Sequence, residues 1–295
     1  MTEKIMLTCM LLIFQTAAAG ATEKLSVFVS IVPQKYFVQQ IGKNHVDVKI
    51  MVRPGASPAA YEPRPGQMAS IAGASLYFAV GVPFENAWLK KISAANPNMK
   101  VIHTDHGIEK IAMSKHLHHD EENRHGEKTR HDHSGLDPHI WTAPAMVKAQ
   151  SKTILNALIK ADPDHGEEYA SNFNVFSAQI DALDTALGQI FAGKSGMQFL
   201  VFHPSWGYFA KAYGLKQVSI EIEGKNPKPD QLKELIAHAK KEGIKVVFVQ
   251  PQFSTRSARI VAREIGGQVA FADPLAENWL NNMRMIAEKF QAALK

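Results

Sequence analysis

The chain has 295 residues, of which 45% are hydrophobic and 21% are charged. It therefore has enough apolar side chains for a sizeable core, which excludes a wholly disordered protein and a small disulfide-stabilised scaffold. The formal net charge is +5, from 33 basic and 28 acidic residues, and no basic cluster with interleaved aromatic residues suggests nucleic-acid binding. At about 150 residues per domain, the length predicts two domains.

Residues 1–21 have the pattern of a secretory signal peptide. Lys4 precedes an apolar run at 5–14, and small residues follow at 17–21, as signal peptidase requires. The alternative interpretation is a buried N-terminal helix; the run is shorter than the about 20 residues that span a bilayer. Because Cys9 lies inside this run and is the only cysteine, we predict an exported mature chain, beginning near Ala21, that has no thiol to bind a metal.

Apolar, β-branched runs then alternate with helical stretches in two similar halves of the mature chain. This alternation predicts parallel sheets that are covered by helices on both faces. The predicted strands are 25–32, 46–52, 75–80 and 100–102 in the first half, and 198–202, 218–222, 245–250 and 269–272 in the second. The predicted helices include those that begin at Pro33, 65–72, 83–95, 230–241 and 255–265.

A long helical segment at 163–193 separates the halves. Its apolar positions recur in steps of four and three residues from Tyr169 to Ile190, so one stripe runs along one face. A coiled-coil dimer is one interpretation. We favour one continuous helix packed against both lobes, which would limit lobe movement to small tilts. The predicted domains are thus an N-terminal α/β lobe at 22–162, this linking helix, and a C-terminal α/β lobe at 194–295.

Histidine is the residue type with the most unusual distribution. Six of the 13 histidines lie between residues 116 and 133, within a segment (116–134) that is rich in acidic residues and nearly devoid of apolar ones, so it cannot form a core. One interpretation is a flexible insertion of biased composition. We favour a metal-gathering loop, because imidazole is the commonest metal ligand near neutral pH and histidine-rich tracts are uncommon without metal. These residues are His116, His118, His119, His125, His131 and His133.

Three further positions suggest an assembled site. His139 follows the histidine-rich segment, while His203 and Asp273 each end a predicted strand and precede a proline. Ligands of open parallel sheets bind at the carboxyl ends of the strands, so two such residues of one lobe can converge on one crevice. Each residue alone is more often a capping residue than a ligand; the combination favours a site. The tryptophans that follow closely are interpreted as core residues: Trp141, Trp206 and Trp279.

Four segments of the chain resemble the metal-specific solute-binding proteins of ABC importers, in the zinc and manganese group. They are PGASPAAYEP at 54–63, DPHIW at 137–141, HPSWGYF at 203–209 and DPL at 273–275. Their order and the long intervening helix also match, over nearly the whole mature chain. The resemblance implies two α/β lobes joined by one rigid helix, with a metal in the inter-lobe cleft and a histidine-rich loop in many zinc members.

The resemblance implies His139, His203 and Asp273 as metal ligands, but the family's first histidine is replaced by Ala59. Three explanations stay open: water completes a three-ligand site, another residue such as Glu62, Tyr61 or a loop histidine substitutes, or the protein serves another metal or task. Tetrahedral zinc needs only four donors, and water can be one of them. For Glu62, a turn-stabilising role is the alternative.

Two imidazoles and a carboxylate suit Zn²⁺ and tolerate Mn²⁺ or Fe²⁺, while the lack of sulfur argues against copper(I). The resemblance implies a monomeric periplasmic protein, not an enzyme, that captures such a metal and delivers it to an ABC permease in the inner membrane. One alternative is a periplasmic metal buffer or adhesion protein. Another is a metallohydrolase, which would use similar ligands, although the chain has no His-Glu-x-x-His pair.

Overall fold

The structure is a computed structural model that describes residues 23–113, 135–222 and 224–294. The predicted signal peptide and the histidine-rich segment 116–134 lie outside the described residues. In the part of the chain that is described, no helix has both the length and the hydropathy needed to span a bilayer.

The N-terminal lobe is built on a sheet of four parallel strands. Its elements are β1 (Leu25–Val29), α1 (Val32–Gly42), β2 (Val46–Ile50), α2 (Pro65–Ser70), β3 (Leu76–Ala79), α3 (Pro83–Ala95) and β4 (Lys100–His103). The strand order is β2-β1-β3-β4. All four residues of β3 are buried, as expected for a central strand that is covered on both faces. Each helix has a proline in its first turn, where the missing N–H costs no hydrogen bond.

Two long helices follow the N-terminal sheet, and the second of them connects the lobes. They are α4 (Pro144–Ala161) and α5 (Gly166–Ile190). The 25-residue α5 packs along α4 and also contacts α1. Its predicted apolar stripe is buried at Tyr169, Phe176, Ile180, Leu183 and Leu187, so the stripe faces its own chain, as a helix that packs between two lobes requires.

The C-terminal lobe repeats the architecture of the first. Its elements are β5 (Gln198–Val201), α6 (Gly207–Ala212), β6 (Lys216–Ser219), α7 (Pro229–Lys241), β7 (Val246–Val249), α8 (Arg256–Glu264), β8 (Gln268–Phe271) and α9 (Trp279–Ala293). The strands are parallel in the order β6-β5-β7-β8. The helix α9 packs against α5, so the connecting helix touches both lobes. The predicted fold of two parallel α/β lobes and one long linking helix is confirmed.

One predicted strand is displaced. We predicted a strand at 218–222, whereas β6 starts two residues earlier and ends at Ser219. Beyond Ser219, the main-chain N of Ile220 and of Glu221 still donate to the carbonyls of Val201 and Phe202, and Ile222 then pairs with Lys225 in a short antiparallel bridge. Glu221 therefore lies just past the carboxyl end of a strand.

One hydrophobic core joins the N-terminal lobe, α4, α5 and the α9 side of the C-terminal lobe, while a second cluster lies beneath α7 and α8. The first core fixes two segments from distant parts of the sequence. Trp141 and Trp279 are fully buried in it. The indole Nε1 of Trp279 donates to the Trp141 carbonyl at 2.7 Å, and Nε1 of Trp141 donates to the Pro274 carbonyl at 2.8 Å. These bonds hold the 137–141 segment against the segment that follows β8, and both segments carry predicted site residues.

Candidate metal centre

Two imidazoles from different parts of the chain lie next to each other. His139 precedes the short 3₁₀ turn Ile140–Thr142, and His203 follows the carboxyl end of β5. Their Nε2 atoms lie 3.3 Å apart, and the ring planes are inclined at 72°. Two zinc–nitrogen bonds of about 2.05 Å that meet at the tetrahedral angle would place their nitrogens about 3.3 Å apart. The pair therefore has the spacing that one zinc ion requires.

A buried carboxylate is hydrogen-bonded to Nδ1 of each imidazole, on the side of the ring away from the other histidine. Nδ1 of His139 donates to Oδ1 of Asp137 at 2.7 Å, and Nδ1 of His203 donates to Oε1 of Glu221 at 2.6 Å. A carboxylate can only accept, so these bonds place the ring proton on Nδ1 and leave the lone pair on Nε2. When both rings are neutral in this tautomer, the Nε2 lone pairs face each other at 3.3 Å, and a cation between them would remove their repulsion.

The two carboxylates behind the imidazoles are buried. Asp137 is fully buried and Glu221 is 4% exposed, so both charges are poorly screened. Oδ1 of Asp137 accepts from Nδ1 and from the main-chain N of His139. Its Oδ2 is buried and finds no hydrogen-bond partner within residues 23–113, 135–222 and 224–294. Gly207 makes this packing possible, because a Cβ there would lie 2.7 Å from Oδ2.

Burial keeps His203 neutral. Desolvation lowers the pKa of His203 below its ordinary value, and the hydrogen bond to Glu221 opposes this only in part. The ring of Phe253 stacks on the imidazole, with the ring centroids 4.8 Å apart. At neutral pH the Nε2 lone pair of His203 is thus available to a metal.

Asp273, the third predicted ligand, is engaged elsewhere. Its Oδ1 accepts from the main-chain N of Leu275 at 2.9 Å and from Nε2 of Gln252 at 3.1 Å. Among the residues whose positions are described, no group of three or more His, Cys, Asp or Glu side chains could hold a metal ion. The structure therefore brings His139 and His203 together, while Asp273 stays a prediction as their co-ligand.

In this chain, the segment around Ala59, where the family has its first histidine ligand, supplies no third donor to the two imidazoles. Ala59 is exposed, and its N–H donates to Oγ of Ser57. Glu62 is also exposed, and among the described residues it does not combine with the two imidazoles into a set of side chains that could hold a metal ion. The hydroxyl of Tyr61 donates to Oε1 of Gln67 at 2.8 Å. The six loop histidines fall in the undescribed segment, so their part in the site stays a prediction.

The roles of Asp137, Glu221 and Gln250 were not predicted from the sequence. Glu221 was counted within a strand, yet it interrupts the apolar run 218–222 just beyond the end of β6. Gln250 follows β7, and its amide bonds the main-chain N and O of His203. Polar residues directly after parallel strands were the available signal, because such strand ends line one edge of the sheet.

This fold and this pair of imidazoles define a two-lobed binding protein with a site suited to a transition metal. The family model described as zinc-uptake complex component A, periplasmic (ZnuA), matches residues 27–293. The chain belongs to this family, and the resemblance predicted from the sequence is confirmed.

Individual relatives agree with this assignment. The high-affinity zinc uptake system protein ZnuA of Bacillus subtilis (strain 168) is 29% identical over 263 residues, which are 88% of this chain and 81% of that protein. A crystal structure of ZnuA is 39% identical, with a TM-score of 0.84 over 92% of this chain and 100% of that one. A zinc-bound deletion mutant of ZnuA is also 39% identical, with a TM-score of 0.83 over 92% of this chain and 99% of the mutant chain.

Proposed function

We propose that this protein is the periplasmic zinc-binding component of an ABC importer, and that it binds one Zn²⁺ between His139 and His203. The observation that carries the proposal is the pair of Nε2 atoms 3.3 Å apart, each on a ring whose Nδ1 is bonded to a buried carboxylate. The loaded monomer would then deliver the ion to a permease in the inner membrane.

Ligand chemistry favours zinc over the alternatives. Two imidazole nitrogens, one carboxylate and one water form the four-donor tetrahedral shell that zinc prefers, whereas Mn²⁺ prefers more oxygen donors. We assign the carboxylate to Asp273, which is tied to the neighbourhood of His139 because Trp141 bonds the adjacent Pro274 carbonyl. Water takes the position that Ala59 leaves open. Mn²⁺ and Fe²⁺ are the weaker candidates for the same site.

Growth under zinc limitation tests the transport role. In the source bacterium with its own gene deleted, we expect the wild-type chain to restore growth in zinc-chelated medium and His203→Ala to fail. The matched control is His238→Ala. His238 bonds Gln198 at the opposite end of β5, so this variant should restore growth like the wild type.

Other outcomes would exclude the proposal. Full rescue of growth by His203→Ala would show that zinc transport does not depend on this site. A wild-type chain that rescues only manganese-starved cells would show that the metal assignment is wrong. Hydrolase activity that disappears in His139→Ala would favour the enzyme alternative instead.

Zinc affinity should fall as the medium becomes acidic. Protons compete with zinc for Nε2, so each imidazole that becomes protonated costs up to about tenfold in affinity per pH unit below its pKa. Because burial lowers the pKa of His203, we expect affinity to hold down to about pH 6.5, the ordinary histidine pKa, and to fall below about pH 6. Calorimetric titrations from pH 7.5 to 5 measure this; undiminished affinity at pH 5 would contradict it.

A further inference from the structure

The carboxyl group of Asp273 is constrained by a residue from the neighbouring strand end. Gln252 follows β7, and Asp273 follows β8, which pairs with β7 in parallel. Nε2 of Gln252 donates to Oδ1 of Asp273 at 3.1 Å, and the main-chain N of Leu275 donates to the same oxygen at 2.9 Å. A carboxylate oxygen has two lone-pair directions. Both directions of Oδ1 are therefore occupied, and a metal contact from Asp273 has to be made through Oδ2.

Gln252 lies in a turn that is itself fixed against the metal centre. Gln250, at the start of the turn, bonds both the main-chain N and O of His203. Phe253, at its end, stacks on the His203 ring and donates its N–H to the Gln250 carbonyl. The amide of Gln252 is thus held relative to the same imidazole that would share a metal with Asp273.

The main chain at Asp273 is anchored independently of Gln252. The Asp273 carbonyl accepts from Nδ2 of Asn282 at 2.8 Å, and the next carbonyl, that of Pro274, accepts from Trp141. Removing the Gln252 amide would consequently free one lone pair of Oδ1 and leave the segment in place.

The number of oxygens that Asp273 offers decides which metal fits. If Asp273 contributed one oxygen, the site would offer two imidazoles, one carboxylate oxygen and one water, which is the tetrahedral set of zinc. With both oxygens, the donor count rises to five, which suits Mn²⁺ because that ion favours carboxylate oxygens and higher coordination.

We propose that Gln252 is a specificity-determining residue that restricts Asp273 to a single metal bond and thereby disfavours Mn²⁺ relative to Zn²⁺. This inference rests on the proposed function, because it takes Asp273 as a ligand in the cleft. Gln252 is a positioning residue, since it acts through the carboxyl group of Asp273 and does not touch the metal.

The test uses the full mature chain with Gln252→Leu, which removes the donor at similar volume. Zn²⁺ and Mn²⁺ dissociation constants are measured by competition, and Co²⁺ is added as a spectroscopic probe of coordination number. Each protein is compared with the same protein carrying His203→Ala, so that binding by loop histidines is subtracted. The matched control is Gln268→Leu, an exposed position at the far end of β8.

We expect the ratio of the Mn²⁺ to the Zn²⁺ dissociation constant to fall about tenfold in Gln252→Leu, the scale typical of residues that orient metal ligands. The visible Co²⁺ bands should weaken as the coordination number rises, and the control should match the wild type. Gln252→Asn, whose amide is one methylene too short for the bond, should shift both readouts in the same direction. This second variant serves if the leucine variant fails to fold.

Two different failures are distinguishable. Binding that depends on His203 with an unchanged ratio and spectrum in both Gln252 variants would overturn this inference alone, as would an equal shift in the Gln268→Leu control. Metal binding that does not depend on His203 in the wild type would overturn the proposed function, and this inference with it.

Discussion

We expect His203→Ala to abolish high-affinity zinc binding. The substitution deletes one of two Nε2 donors that lie 3.3 Å apart and leaves the ion with one imidazole. We expect the dissociation constant to rise by at least about 1000-fold, which corresponds to about 4 kcal/mol. Calorimetric titration of the purified mature chain measures the change, with His139→Ala expected to behave in the same way.

The control separates loss of the ligand from loss of the fold. His238→Ala truncates a histidine of α7 that bonds Gln198 at 2.8 Å, far along β5 from His203, and should bind zinc like the wild type. Weak binding that survives in His203→Ala is attributed to the histidine-rich segment and should disappear when its six histidines are replaced by asparagine. Zinc affinity that is unchanged in His203→Ala would contradict the assignment.

Glu221→Gln is the second substitution with a large expected effect, although Glu221 is not an assigned ligand. The carboxylate holds the proton of His203 on Nδ1. A glutamine amide can donate to Nδ1 instead, which would move the ring proton to Nε2 and block the metal. We expect zinc affinity to fall by about 10- to 100-fold, as for other residues that orient metal-binding histidines. Zinc titration measures the affinity, and nitrogen NMR of the histidine rings reports the tautomer.

Asp137→Asn tests the same principle at the other imidazole. Asp137 holds Nδ1 of His139, so a loss of similar size is expected. The matched control is Glu242→Gln, because Glu242 is an exposed carboxylate that bonds Gln198 away from the site. If Glu221→Gln and Asp137→Asn both bound zinc as tightly as Glu242→Gln, the carboxylates would have no role in orienting the rings.

Local sequence patterns account for most of the fold. The strand positions followed from short apolar runs such as 75–80 and 245–250, because a strand buried on both faces needs a continuous apolar sequence. The long linking helix followed from the four-and-three spacing of its apolar residues. The helices α6 and α9 were not predicted, and neither was α4. Its buried face includes the polar residues Gln150 and Ser151, which interrupt the apolar stripe.

The two histidines of the site were predicted from the sequence, but the carboxylates that bond them were not. His139 and His203 were identified from their positions after the histidine-rich segment and after a strand, and the structure brings them together. Neither carboxylate partner was identified. The contact of Asp137 with His139 depends on the local turn of their shared segment, and the contact of Glu221 with His203 depends on β6 lying next to β5 in the sheet. Alternating strands and helices do not specify that order. The contact of Gln252 with Asp273 escaped prediction for the same reason.

The most direct test of the central claim is the position of zinc in the loaded protein, determined by crystallography at the zinc absorption edge. We expect a single strong anomalous peak about 2.0–2.1 Å from Nε2 of both His139 and His203, with both Nδ1 atoms still bonded to Asp137 and Glu221. A fully loaded protein whose zinc lies elsewhere, with these two nitrogens outside bonding distance of any metal, would contradict it.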